Sequence, residues 1–158
     1  MAPDRGDARG RRCRNRLLAS LSESEWDCLA PYLIRVPLTV NQYLYRQGHP
    51  IERVYFPESS TASLIVTTID GRSVEVGVVG SHGAAGVGAS DGSPMPGDVV
   101  VQVAGDALAL RPDDLPRGGA AERTLAAVLG RYTHALLAQT IQMAACNRLH
   151  TIRQRAAR

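Results

Sequence analysis

Glycine at 77, 80, 83, 86 and 88 gives the stretch GVVGSHGAAGVG a spacing that suits anion chemistry. Glycine permits positive φ, so such a loop can aim successive backbone N–H groups at a phosphate. The same spacing also suits a turn-rich wall of a β-roll with no ligand, or the remnant of a ligand loop kept for its shape. A phosphate loop is completed by a cation, best an arginine with its bidentate fork. Between Arg72 and Arg111 the only basic residue is His82.

Other chemistries are narrowed by residue type and spacing. All 18 basic residues are arginine. Without lysine there is neither a P-loop nor a Schiff base. His49, His82, His134 and His150 are scattered, with no i, i+4 pair and no H-x-H, so a metal site on a β-roll is not expected. Ser81-His82 and Asp91-Gly92-Ser93 invite a triad, but nothing orients them and no strand-to-helix elbow surrounds the serine. The chain therefore reads as a non-enzyme without a cofactor. Cys13, Cys28 and Cys146 are odd in number and far apart, which argues against disulfides and fits a reducing cytoplasm. Cys146 reads as a small core residue. No run of 18 apolar residues or secretory h-region is present, so neither a membrane span nor an export signal is expected.

The net charge of +3 is unevenly spread. Residues 1–16 hold six arginines and two aspartates, and residues 147–158 hold four arginines and no acid. The middle is acidic. Basic ends add salt-dependent affinity for nucleic acid or serve as solvated termini; Arg148, Arg153 and Arg155 also favour a helix C-terminus.

The positioning elements follow from local rules. Ser22 and Glu25 form a capping box ahead of Trp26, Leu29 and Leu33, and Pro31 keeps that helix short. Short β-rich runs broken by Pro37, Gly48, Pro50 and Pro57 come next. Two β-branched runs flank Asp70-Gly71, which predicts a hairpin with a type I′ turn. Beyond the glycines, strands are expected at about 98–103 and 106–111, around Gly105-Asp106. From about Ala121 the period becomes helical, with two apolar stripes. One runs through Leu125, Leu129, Tyr132, Leu136 and Met143, the other through Leu137, Ile141, Ala145, Leu149 and Ile152. Two stripes imply two partners: the chain's own roll and a second copy's helix. The fold class is thus mostly β with flanking helices, an antiparallel β-roll followed by a long C-terminal helix. The expected organisation is a disordered basic N-terminus over 1–15, the roll with its N-terminal helix over 16–120, and the helix over 121–158.

Four stretches in this order, QYLYRQGHPIERVYFPESSTASLI, DGRSVEVGVVGSHGAAGVG, VVVQVAGDALALRPDDL and LLAQTIQMAACNRLHTIRQRAAR, carry a family likeness over roughly 17–158. They resemble the cyclic nucleotide-binding domain of Crp/Fnr-type bacterial transcription regulators, a jelly roll followed by a dimerisation helix. The resemblance implies a homodimer through that helix, assigned here to Leu129, Tyr132, Leu136 and Met143. It implies DNA binding only through a helix-turn-helix domain beyond Arg158, absent from this chain.

It also implies a phosphate cassette, here Gly83, Ala85, Gly86, Val87 and Gly88, with Asp98 and Val99 nearby. Gly86 matches the family's glycine; Val87 falls where the family has its ribose-binding Glu, and Asp98 lies near its phosphate-binding Arg. Thr140 falls where relatives touch the nucleobase, although a helical threonine otherwise bonds to its own backbone. The expected function is therefore the sensor and dimerisation domain of a Crp/Fnr-like regulator that does not bind cyclic AMP, its effector unknown. The alternative is a stand-alone module acting as a structural or protein-interaction domain.

Overall fold

The computed structural model describes residues 13–90 and 94–149, apart from the side chains of 89, 90 and 143–148. The chain begins with two short helices, α1 (Arg16–Ala19) and α2 (Glu23–Leu29). The expected capping box forms: the Glu25 N–H donates to Ser22 Oγ and the Ser22 N–H to Glu25 Oε2, at 3.3 and 2.8 Å. Pro31 sits in a single 3₁₀ turn, Ala30–Tyr32, that closes this helical segment.

Seven strands follow: β1 (Ile34–Leu38), β2 (Tyr43–Tyr45), β3 (Val54–Pro57), β4 (Thr61–Thr67), β5 (Ser73–Val79), β6 (Asp98–Val103) and β7 (Gly105–Leu110). They form two antiparallel sheets, β1-β7-β3 and β2-β6-β4-β5, the two walls of a jelly roll. A long helix, α3 (Ala120–Leu149), ends the described chain.

The β4–β5 hairpin forms at Asp70-Gly71, but its turn is not type I′. Gly71 has φ +79° and Asp70 is not in the positive-φ region. The Gly71 N–H donates to Thr68 O and the Thr68 N–H to Arg72 O, which makes a four-residue turn closed by one left-handed glycine. Gly105-Asp106 is not a hairpin turn either. It is the point at which the chain leaves the four-stranded sheet (β6) and enters the three-stranded one (β7).

Alternation along β3 and β7 explains why both faces of the three-stranded sheet are apolar. Val54, Phe56, Leu108 and Leu110 face outward onto a cluster with Leu18, Leu29, Leu125, Val128 and Leu129 from the helices. Ala107 faces inward, with Val101 and Leu38 in the roll interior. Phe56, Leu29 and Val54 are fully buried; burial of this kind stabilises by roughly 1.5–3 kcal/mol per side chain.

The N-terminal segment enters the body earlier than its composition implies. Residues 13–15 were expected in the basic tail, yet Cys13 and Asn15 are buried. The Glu58 carboxylate, itself buried, accepts the backbone N–H groups of Arg14 and Asn15 at 3.0 Å, with the Arg35 guanidinium 3.5 Å away. Burial pushes the Cys13 thiol up to about 11, so it stays protonated. Residues 1–12 lie outside the described residues.

On α3 the two stripes part company. Leu125, Val128, Leu129 and Tyr132 are buried against the chain's own body. Leu136 is half-buried at the edge of that cluster, while Leu137, Ile141 and Leu149 are exposed. The assignment of Leu129 and Tyr132 to a dimer interface is therefore corrected: both are consumed by the intrachain core, and the free stripe is the second one. The Met143 side chain lies outside the described residues.

Candidate functional site

The glycine-rich loop leaves β5 at Val79 and is tied down within six residues. The Gly83 N–H donates to Gly80 O at 3.0 Å. Ala85 forms a two-way bridge with Tyr55 of β3: its N–H donates to Tyr55 O at 2.8 Å and its O accepts the Tyr55 N–H at 3.0 Å. The Tyr132 hydroxyl of α3 lies against Gly83 of this loop. Burial raises the Tyr132 phenol, and the nearby Ala84 amide opposes the rise. The amides of residues 83 and 85 thus both point at acceptors within the protein.

Two of the glycines are explained by tyrosines that press against them. A Cβ on Gly83 would lie 2.5 Å from the Tyr132 hydroxyl oxygen. A Cβ on Gly86 would lie 2.5 Å from the Tyr45 hydroxyl oxygen and 2.8 Å from Arg53 O, and Gly86 has φ +95°. Tyr45 Oη sits 2.6 Å from Arg53 O and 3.0 Å from Ala85 O, its one proton shared between two carbonyls. Burial pushes the Tyr45 phenol well above its ordinary value, which keeps that proton in place.

The loop is also anchored from the N-terminus. Asn15 Nδ2 donates to Gly83 O and Pro57 O, and the Arg16 N–H donates to Ser81 O. Asn15 Oδ1 accepts from the Leu17 and Leu18 amides, so one buried side chain caps α1 and fastens the loop.

The residues singled out by sequence fall into three groups. Gly83, Ala85 and Gly86 are buried in the loop, and Val99 joins Ala85, Tyr45 and Met95 in one apolar cluster. Val87 opens a 3₁₀ turn (Val87–Ser90) that also contains the half-buried Gly88, and it packs against the α3 cluster. At this position an acid would face aliphatic side chains. Asp98 starts β6, and its Oδ1 accepts the Gln47 N–H at 2.8 Å, holding the β2–β3 connection. Thr140 does not join the site. It is exposed and its hydroxyl donates to Leu136 O at 2.9 Å. It also lies eight residues past Tyr132, about 12 Å along the helix. Asp91, Gly92 and Ser93 of the triad reading lie outside the described residues, as do His150, the Cys146 side chain and the terminal arginines.

Sequence reasoning missed Tyr45, Asn15 and the loop-facing role of Tyr132. An asparagine just before the short apolar run RLLASL was a legible N-cap signal. Nothing local marked the tyrosines.

The family model of the cyclic nucleotide-binding domain matches residues 35–117, more than half of the chain. The chain belongs to the cyclic nucleotide-binding domain family. Among solved structures, this domain is similar to the N-terminal domain of a transcriptional regulator from Streptomyces coelicolor A3(2), with 26% identity and a TM-score of 0.62 over 83% of this chain and 92% of that one. A cyclic nucleotide-binding domain from Methylobacillus flagellatus shares the fold at 16% identity, with a TM-score of 0.68 over 84% of this chain and 77% of that one. The Thermus thermophilus catabolite activator protein shares it at 20% identity, with a TM-score of 0.61 over 83% of this chain and 60% of that one. No curated protein matches the sequence. No described helix of this cyclic nucleotide-binding domain is long and apolar enough to cross a membrane.

Proposed function

We propose that the chain is the sensor and dimerisation half of a Crp/Fnr-like transcription regulator, with a cassette closed by its own tyrosines and no affinity for cyclic AMP. The observation that carries this reading is the close approach of two tyrosine hydroxyls to the loop, Tyr132 at Gly83 and Tyr45 at Gly86, where an added Cβ would lie 2.5 Å from the hydroxyl oxygen in each case. These hydroxyls fill the space at Gly83 and Gly86 that a phosphate would need, and Tyr132 ties the cassette to α3. The amides of Gly83 and Ala85 are also engaged, so a cyclic nucleotide would have to break these bonds. Val87 and Asp98 offer no arginine and no ribose acceptor in exchange. An event that moves residues 83–86 would instead displace Tyr132 and shift α3, provided the helix has two positions that the event biases. The likeness to a Streptomyces regulator domain supports that regulatory role. DNA contact would come through another domain.

Titration calorimetry with cyclic AMP and with cyclic GMP is expected to show no binding. Micromolar affinity for either would overturn the closed-cassette reading.

The exposed stripe of Leu137, Ile141 and Leu149 supports docking of a second copy's helix on that face. Light scattering at tens of micromolar is expected to report a dimer. Leu137→Asp combined with Ile141→Asp is expected to give a monomer, because two carboxylates in an apolar helix seam lose their hydration without a partner. A wild-type monomer at that concentration would remove the helix pair from the mechanism.

A further inference from the structure

Outside the cassette, a cleft of about 240 Å³ opens at the β2–β3 connection. β2 is an edge of the four-stranded sheet and β3 an edge of the three-stranded one, so the cleft sits on the seam between the walls of the roll. Aromatic residues make up only 4% of the chain, yet Tyr43, Tyr45 and Tyr55, three of its five tyrosines, line this one cleft. Tyr45 and Tyr55 meet edge to face, with ring centroids 5.9 Å apart. Arg46 lies over the Tyr43 ring, its guanidinium carbon 3.3 Å from the centroid, which holds the charge in place with its N–H edge free to donate. Arg53 is half-buried on the same lining. Among the described residues neither arginine has a carboxylate partner. One carboxylate, Glu52, lines the cleft against the two guanidiniums, so the site carries net positive charge.

A half-buried guanidinium with no carboxylate partner among the described residues favours an anion that can take its paired donors. Flat aromatic walls favour a flat ligand, stacked or edge-on. The volume is at the small end for a ligand site and suits one ring with its charged group. We infer that the cleft binds a small planar aromatic anion, its ring against Tyr55 and its charged group on Arg46 and Arg53. The buried Tyr45 is shared between this cleft and the cassette, since its hydroxyl bonds Ala85 O. An occupant would thus act on residues 85–86 from the side away from α3. This site stands independently of the closed-cassette reading.

Phenyl phosphate is the probe, titrated into the full chain by calorimetry or ligand-observed NMR. It is expected to bind with a Kd of about 1 mM or tighter, the range open to a ligand of this size. Phenol lacks the charge and inorganic phosphate lacks the ring, so each is expected to bind at least about tenfold more weakly. Arg53→Gln and Arg46→Gln are each expected to weaken phenyl phosphate about tenfold while leaving the circular dichroism spectrum unchanged. The inference is overturned if phenyl phosphate binds no better than inorganic phosphate, or if both substitutions leave its affinity as it was.

Discussion

Gly86→Ala is expected to remove about 2–4 kcal/mol of stability, from left-handed backbone strain and overpacking acting together. Gly86 has φ +95°, a conformation that an L side chain resists. Its new Cβ would also meet Tyr45 Oη at 2.5 Å, Arg53 O at 2.8 Å and Ile51 Cγ2 at 3.1 Å. One of those neighbours is backbone and cannot rotate away. Tyr45 can move only by giving up its bonds to Arg53 O and Ala85 O. Gly48 and Gly71 provide the comparison: each has φ +79° with nothing within 4 Å of the added Cβ. Alanine there is expected to cost only the backbone part, about 1 kcal/mol. Urea denaturation of the three variants separates the two contributions. If Gly86→Ala is no more harmful than Gly71→Ala, Tyr45 does not close the cassette as tightly as the geometry requires.

The second large effect is expected at Asn15. Its side chain makes four hydrogen bonds and is wholly buried: two donated to Pro57 O and Gly83 O, two accepted from the Leu17 and Leu18 amides. Asn15→Leu keeps the volume roughly constant but leaves these backbone groups without their partner. Each unpaired buried group costs about 1–3 kcal/mol, and partial relaxation brings the expected total to about 4 kcal/mol. For a domain of this size that lowers Tm by roughly 8–16 °C. Asn15→Asp keeps the acceptors for α1 and loses the donors to the loop, so an intermediate loss is expected. Hydrogen exchange should then quicken at Gly83–Ala85 before it does at Leu17 and Leu18. A Leu variant within 1 kcal/mol of wild type, on the order of one ordinary hydrogen bond, would show that the N-terminal segment does not hold the loop.

Both effects concern the same loop, and they bear on what its glycine spacing reports. The spacing of 77 to 88 reports shape: the chain must pass close to something at 83 and 86. It does not report what that something is. A nucleotide and a tyrosine hydroxyl both demand a missing Cβ. In this protein the partners are Tyr45, 40 residues before Ala85, and Tyr132 on the terminal helix.

What the sequence determined by itself lies where the physics is local. The Ser22–Glu25 capping box, the β4–β5 hairpin at Gly71 and the helical period after residue 120 each involve groups only a few residues apart. A cap, a turn and an amphipathic period are settled by neighbours along the chain, so composition and spacing sufficed. The ordered series of those elements was enough to identify the jelly roll.

What only the tertiary structure decided lies where two local patterns are equivalent. The two stripes of α3 are equally apolar, and nothing in their period says which meets the roll. The docking of α3 over Phe56 and Leu110 buries Leu129 and Tyr132 and leaves Leu137 and Ile141 outside. Asn15 likewise reads as part of a basic tail until Gly83, 68 residues on, is brought against it. A buried hydrogen bond or a missing Cβ is a statement about two distant positions at once. One of them alone carries the demand, and only the folded chain supplies the group that meets it.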